Sequence, residues 1–219
     1  MRAWIYDQTF VGLTVGWYRE VLKRLPRGAR LLDVGIGTGG ALVRNAALVK
    51  ARDLHIVGID VDRVYLRRCR KLVEDAGLAR HVVPVLESIY DHHGGPYDAV
   101  YFSASFMLLP DPLRALRHAK EMLSAGGRVY FTQTIHTKRV PVMEKVKPML
   151  HRLTTIHFGR VTYEHDFIDV VRRAGLHLHE WQHLGGGRDL RFCLAMATWP
   201  VPAVGEEPRE PAATRAAVA

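Results

Sequence analysis

Ten residues, Leu31-Leu32-Asp33-Val34-Gly35-Ile36-Gly37-Thr38-Gly39-Gly40, restrict the fold of this chain more than any others. An apolar run ending in an acid and a valine passes at once into closely spaced glycines. A strand that enters a tight turn and leaves it as a helix suits this order, because glycine reaches backbone conformations closed to other residues and lets a ligand approach main-chain atoms. The helix start adds unpaired N–H groups facing whatever sits on the turn. From Leu31 onward, apolar β-prone runs alternate with amphipathic stretches, the pattern of parallel strands joined by crossover helices, so the fold class is α/β.

The alternation predicts strands over Arg30–Val34, His55–Ile59, Val82–Leu86, Ala99–Phe102 and Arg128–Thr134. Helices are expected from near Thr38, over Val61–Ala76 and over Asp111–Ser124, the last two ended by Gly77 and Gly126-Gly127. Thr14–Leu25 reads as an amphipathic helix stopped by Pro26, part of a helical cap over residues 1–29 able to cover one end of the sheet. Residues 138–160 break the alternation with Pro141, Pro148 and an apolar set that includes Met143, Met149 and Leu153, and read as an inserted lid. A helix over Glu164–Ala174 stops at Gly175, and Leu176–Leu184 and Leu190–Trp199 flank Gly185-Gly186-Gly187 as an antiparallel hairpin. One domain, residues 1–199, is expected, followed by a disordered tail over 200–219 rich in Pro, Ala and Glu.

Gly35, Gly37 and Gly40 also satisfy the dinucleotide pattern G-x-G-x-x-G, so glycines alone leave a nicotinamide or flavin cofactor open. Asp33 separates the possibilities, because a carboxylate at the strand end repels a pyrophosphate and suits a ligand with an ammonium group. About 20 residues beyond the glycines the second strand ends in Gly58-Ile59-Asp60-Val61, and an acid there accepts hydrogen bonds from ribose hydroxyls. The third strand ends in Leu86-Glu87-Ser88 and the fourth in Phe102-Ser103-Ala104-Ser105-Phe106. Open α/β sheets bind ligands at this carboxyl edge.

On these residues the chain resembles the class I S-adenosylmethionine-dependent methyltransferases, with Asp33 to Gly39 as their first motif and Asp60 as their second-strand acid, over roughly Leu31 to Gly127. The resemblance implies a Rossmann-like, seven-stranded, mostly parallel sheet with helices on both faces and an antiparallel C-terminal strand. It implies S-adenosylmethionine as cofactor. Asp33, Gly35, Ile36, Gly37 and Gly39 would hold the methionine portion, Asp60 the ribose, Glu87 and Ser88 the adenine edge, and Ser103 the floor beneath the sulfonium, with Val61 a further cofactor-binding residue. Tyr6-Asp7 and Trp17-Tyr18-Arg19 are similar to the start of small-molecule and lipid methyltransferases of the ubiquinone-biosynthesis type, where an early tyrosine, here Tyr6, covers the cofactor. No Asn-Pro-Pro-Tyr motif follows the fourth strand, which argues against methylation of DNA bases.

Methyl transfer from a sulfonium needs alignment more than a base. Where the acceptor is a hydroxyl or thiol, His136, just past the fifth strand, is the candidate base. His177, His179 and His183 share a strand face with Trp181, yet lack carboxylate or thiolate companions at ligand spacing, so no metal is expected. Cys69 and Cys193 are expected as free thiols, and the N-terminus lacks a signal-peptide pattern, so a cytoplasmic location is expected.

The net charge is +9, with Arg63, Arg67, Arg68, Arg70 and Lys71 read as a solvated helix face rather than a nucleic-acid patch. The apolar lid, with Lys138, Arg139, Lys145 and Lys147 beside it, points to a small apolar or lipid-like acceptor and to contact with an anionic membrane surface. Open beside this reading stand a protein or RNA methyltransferase, a dinucleotide-dependent oxidoreductase and a non-catalytic binding module; the pattern sets no oligomeric state.

Overall fold

The computed structural model describes residues 2–137 and 162–200, with side chains from residue 12 onward within them. The expected lid over 138–160, and the tail beyond Pro200, lie outside the described residues.

Among the described residues, seven strands form one sheet. In chain order the elements are α1 (Arg2–Arg24), β1 (Arg30–Val34), α2 (Gly40–Val43), α3 (Ala46–Ala51), β2 (His55–Asp60), α4 (Arg63–Asp75), β3 (Val82–Leu86) and β4 (Tyr97–Ser103). A 3-10 turn (Phe106–Leu108), α5 (Pro112–Glu121), β5 (Leu123–His136), α6 (Glu164–Arg173), β6 (His177–Gly186) and β7 (Leu190–Thr198) follow. The strands lie in the order β3-β2-β1-β4-β5-β7-β6. Neighbours from β3 to β5 run parallel, and β7 enters antiparallel to both β5 and β6. This is the α/β, mostly parallel, seven-stranded sheet with an antiparallel C-terminal strand that the sequence leads one to expect.

β1 is buried from Leu31 to Val34 because helices cover both of its faces, which is why it reads as a continuous apolar run rather than an alternating one. One face packs on α5 and α6 through Leu116, Ala119, Phe167 and Val171 around a stack of Phe102 and Phe131, 5.4 Å apart. The other packs on α1 to α4 through Val21, Leu22, Leu42, Val49, Leu66 and Val73. On α4 the buried positions are Leu66, Cys69 and Val73, so the arginines and Lys71 point outward as a solvated face. Gly77 and Gly175, both at positive φ, cap α4 and α6.

Several boundaries differ from expectation for local reasons. α4 starts at Arg63, not Val61, because Asp62 is its N-cap and accepts from the Val64 and Tyr65 amides. The helix after the glycines starts at Gly40 rather than Thr38, and it breaks at Arg44 and Asn45 into α2 and α3. α5 ends at Glu121 rather than Ser124: Leu123 already pairs with Tyr97, and the Ser124 hydroxyl donates to the Tyr97 carbonyl at 2.8 Å. Gly126 and Gly127 thus sit in an irregular stretch of β5, not in a helix cap. α1 extends through Arg24 and lies across a sheet face instead of closing one end: Trp17 meets Phe192 of β7 at 5.7 Å, and Arg24 bonds Glu180 of β6 at 2.7 Å.

Candidate active site

The carboxyl ends of β1, β2 and β4 meet around the glycine turn. Gly35 has φ 79, and a Cβ there would stand 2.6 Å from the Ser105 side chain; Gly39 has φ 68, and a Cβ there would stand 2.7 Å from the Cys69 sulfur. Both positions therefore exclude a side chain twice over, by backbone and by space. Above Gly37 the position of a Cβ meets nothing within 4 Å, so the middle of the turn presents an open main-chain surface. Ile36 turns inward, 5% exposed, and fills the space over Gly58, so only its backbone belongs to the turn.

Asp60 ties the turn down. Its Oδ2 accepts from the Gly37 amide and its Oδ1 from the Asp62 amide, both at 2.9 Å. Each oxygen keeps a further lone pair for a ligand hydroxyl. Val61, expected inside a helix, lies between β2 and α4 with 73% of its surface exposed, an apolar side chain standing next to this acid.

Asp33 is the most constrained group. It is fully buried; its Oδ2 accepts from the Tyr18 hydroxyl at 2.7 Å, and its Oδ1 has no hydrogen-bond partner. Burial pushes its carboxyl up to about 7, the Tyr18 hydrogen bond pulls the other way, and the charge of Asp60 adds to the rise. Tyr18 packs edge-on against Tyr101 at 5.1 Å, and the Tyr101 hydroxyl meets Thr132 Oγ1 at 2.7 Å. A buried acid with one unsatisfied oxygen costs about 1–3 kcal/mol, more for a charged group, unless a donor or cation meets it.

Ser103 ends β4, and Ala104 follows in the left-handed region at φ 54, a conformation worth about 1 kcal/mol of strain for a side-chain-bearing residue. The kink turns Ser105 back so that its hydroxyl donates to the Val34 carbonyl, joining the ends of β4 and β1 beneath Gly35. Glu87 and Ser88 leave β3 on the same edge. Ser88 Oγ accepts from the Tyr90 amide at 3.3 Å, and Glu87 Oε2 lies 2.6 Å from Nδ1 of His92, a buried histidine whose Nε2 meets the Tyr97 hydroxyl at 2.8 Å. Sequence reading named Tyr18 only within Trp17-Tyr18-Arg19 and Ser105 only within the run that ends the fourth strand, and it gave neither of them nor His92 a role, because all three act by tertiary contact.

The structure thus brings Asp33, the glycines, Asp60 and Ser103 together. Tyr6 lies on the backbone of α1, and its side chain is not described. His136 is the last residue of β5 rather than one past it, four positions beyond the residue paired with Ser103, which along a strand is about 13 Å. Its amide donates to Thr162 and its ring meets Tyr163 edge-on at 6.5 Å. Gln133, one position past that pair, is buried with neither end of its carboxamide bonded. His177 and His179 are exposed on β6, and a register shift between Leu178 and Glu180 separates them from Trp181, which packs on Phe167. Cys69 and Cys193 are free and buried. Among the described residues, no three His, Cys, Asp or Glu side chains are grouped to hold a metal ion, and no helix is long and apolar enough to cross a membrane.

A family model described as a methyltransferase domain matches residues 13–180. The ubiquinone biosynthesis O-methyltransferase of Xylella fastidiosa (strain 9a5c) is 30% identical over 170 residues, 73% of this chain and 66% of that protein. Aklanonic acid methyltransferase DauC of Streptomyces sp. (strain C5) is 32% identical over 111 residues, 49% of each chain. The chain spans between 49% and 66% of the length of these two relatives. Among solved structures, the [4+2]-cyclase SpnF shares the fold with a TM-score of 0.71 at 20% identity, over 85% of this chain and 82% of that one.

Proposed function

We propose a function from the premise that this chain belongs to the methyltransferase-domain family: it transfers a methyl group from S-adenosylmethionine to a small, apolar or lipid-like acceptor. The observation that carries the reading is the pair of acids around the glycine turn, Asp33 with an unpartnered oxygen and Asp60 on the Gly37 amide. A diphosphate would face two carboxylates there; an aminoacyl nucleoside brings an ammonium group for one and ribose hydroxyls for the other.

The residues present fit the cofactor. Asp33 and the main chain of Gly35, Ile36, Gly37 and Gly39 take its aminoacyl end, Asp60 the ribose, Val61 the apolar face of the base, and Glu87 and Ser88 the adenine edge. Ser103 would form the floor for the sulfur, and Tyr6 would be the tyrosine of α1 that covers the cofactor. The bound cofactor supplies a methyl group on a positively charged sulfur, a donor with a neutral leaving group. The chain's part is alignment in a dry pocket. His136 is the base for a hydroxyl acceptor that reaches the end of β5. The unbonded Gln133 carboxamide supports an acceptor that carries a hydrogen-bonding oxygen, and the names of relatives linked to ubiquinone biosynthesis and to aklanonic acid support a small molecule.

Heat-unfolding in the presence of S-adenosylhomocysteine and of nicotinamide dinucleotides tests the reading. At a hundredfold excess over Kd, S-adenosylhomocysteine should stabilise the folded chain by about 2.7 kcal/mol, the dinucleotides should do nothing, and Asp60→Ala should lose most of the gain. A rise with dinucleotide alone would replace a methyltransferase with an oxidoreductase. Turnover of labelled cofactor with a metabolite extract then separates an enzyme from a binding module.

A further inference from the structure

We infer that Tyr18 is the positioning residue of the cofactor's aminoacyl end: its hydroxyl pins Asp33 Oδ2, leaving Oδ1 as the oxygen that receives the ammonium group. The inference rests on the cofactor reading above and adds a residue to it from outside the glycine-turn motif.

Three observations meet at this contact. Tyr18 and Asp33 are both buried and 2.7 Å apart, in the range of strong hydrogen bonds to carboxylates. Tyr18 is itself held, edge-on to Tyr101 at 5.1 Å and between Trp17 and Val21 on the buried side of α1, so the bond is preorganised rather than chosen among rotamers. The second oxygen of Asp33 is buried without a partner, and a carboxylate left so is stable only with a cation or donor beside it. Holding one oxygen with a neutral donor fixes where the other can be used.

The same bond controls the charge of Asp33. The titratable groups facing it are Tyr18 from α1, Asp60 from β2, Tyr101 from β4 and Cys69 from α4. Burial and the Asp60 charge favour the protonated form, and the Tyr18 hydroxyl opposes them. A protonated Asp33 offers an ammonium group little, so removing the Tyr18 hydroxyl weakens binding twice, by loosening the carboxyl and by letting it take up a proton at higher pH.

The test compares two ligands by titration calorimetry. S-adenosylhomocysteine carries the aminoacyl end; 5′-methylthioadenosine has the same nucleoside and sulfur without it. Tyr18→Phe keeps the ring and its contact with Tyr101. It should weaken S-adenosylhomocysteine at pH 7 by about tenfold or more, in line with a hydrogen bond to a charged group, and leave 5′-methylthioadenosine within about twofold. In the unsubstituted protein, S-adenosylhomocysteine affinity should fall as pH drops through about 7; in Tyr18→Phe the fall should begin at higher pH. With Asp33→Asn as background, adding Tyr18→Phe should change nothing further, as expected of two groups that act as a unit.

Equal weakening of both ligands by Tyr18→Phe would mark a packing effect and overturn the inference, as would an undiminished tyrosine effect in the Asp33→Asn background. If Tyr18→Phe fails to fold, Asp33→Asn alone still decides, since loss of both ligands together, or of neither, overturns it. An unsubstituted protein that binds neither ligand sinks the cofactor assignment itself, which is a different result from one that binds both and ignores Tyr18.

Discussion

At the scale of single residues the site is held together by groups that oppose the stability of the chain. Asp33 ordinarily ionises near 3.8 but stands at about 7 in the folded protein. The folded state therefore keeps a proton that the unfolded chain has lost, and the stability this group contributes is complete below about pH 4 and lost as pH rises through 7. The swing is on the order of 4 kcal/mol. Asp33→Asn, with no charge to bury, should unfold at higher urea concentration than the native protein at pH 8, and the gap should shrink at pH 5; a gap independent of pH would show that the carboxylate is solvated. Asp33 and Asp60 were legible because strand ends before and after a glycine turn have fixed positions. Tyr18 was not: it stands 15 residues away on a helix, and only the packing of Trp17, Val21 and Leu22 on the sheet aims it. Glu87 was legible as an acid at the right edge, but its partner His92 lies in a turn whose course depends on Ser88 accepting from Tyr90.

Among elements, the strands β1, β2 and β3 begin where their apolar runs begin, since parallel strands buried on both faces leave a plain signature. Helix starts were less readable where capping competed with periodicity. Asp62 shows why: it is both the cap of α4 and a donor, through its amide, to Asp60. Asp62→Ala should lower stability by about 1 kcal/mol, a fall in Tm of about 2–4 °C for a chain of this size, and should leave S-adenosylhomocysteine affinity within about twofold, because the amide that donates to Asp60 stays in place. A marked loss of affinity beside the fall in Tm would mean that the cap is what holds the Asp62 amide on Asp60. The continuation of β5 back to Leu123 escaped the sequence because Gly126 and Gly127 imitate a helix cap, while the pairing of Leu123 with Tyr97 is set by a neighbour in space.

For the molecule as a whole, the decisive element is β7, which is inserted between β5 and β6. Ending the chain after Gly187 would leave β6 without β7, its partner among the described residues, and expose the paired edge of β5 from Val129 to His136. It would also strip Phe192 from Trp17. Such a variant should show no cooperative heat transition by circular dichroism, and a sharp transition would mean that β6 can move against β5 in its place. The sheet order itself was legible only in outline: alternation announces parallel strands and the glycines of Gly185-Gly186-Gly187 announce a hairpin, but which hairpin strand lies next to β5 is a matter of packing.

The contact of Trp17 with Phe192 and the bond of Arg24 with Glu180 place α1 on strands made far later in the chain. During synthesis on the ribosome, the helix that carries Tyr18 must wait for β6 and β7 to emerge before its full seat exists. A nascent chain halted before Leu190 would therefore already contain the whole glycine turn and still lack a settled hold on the Asp33 carboxyl.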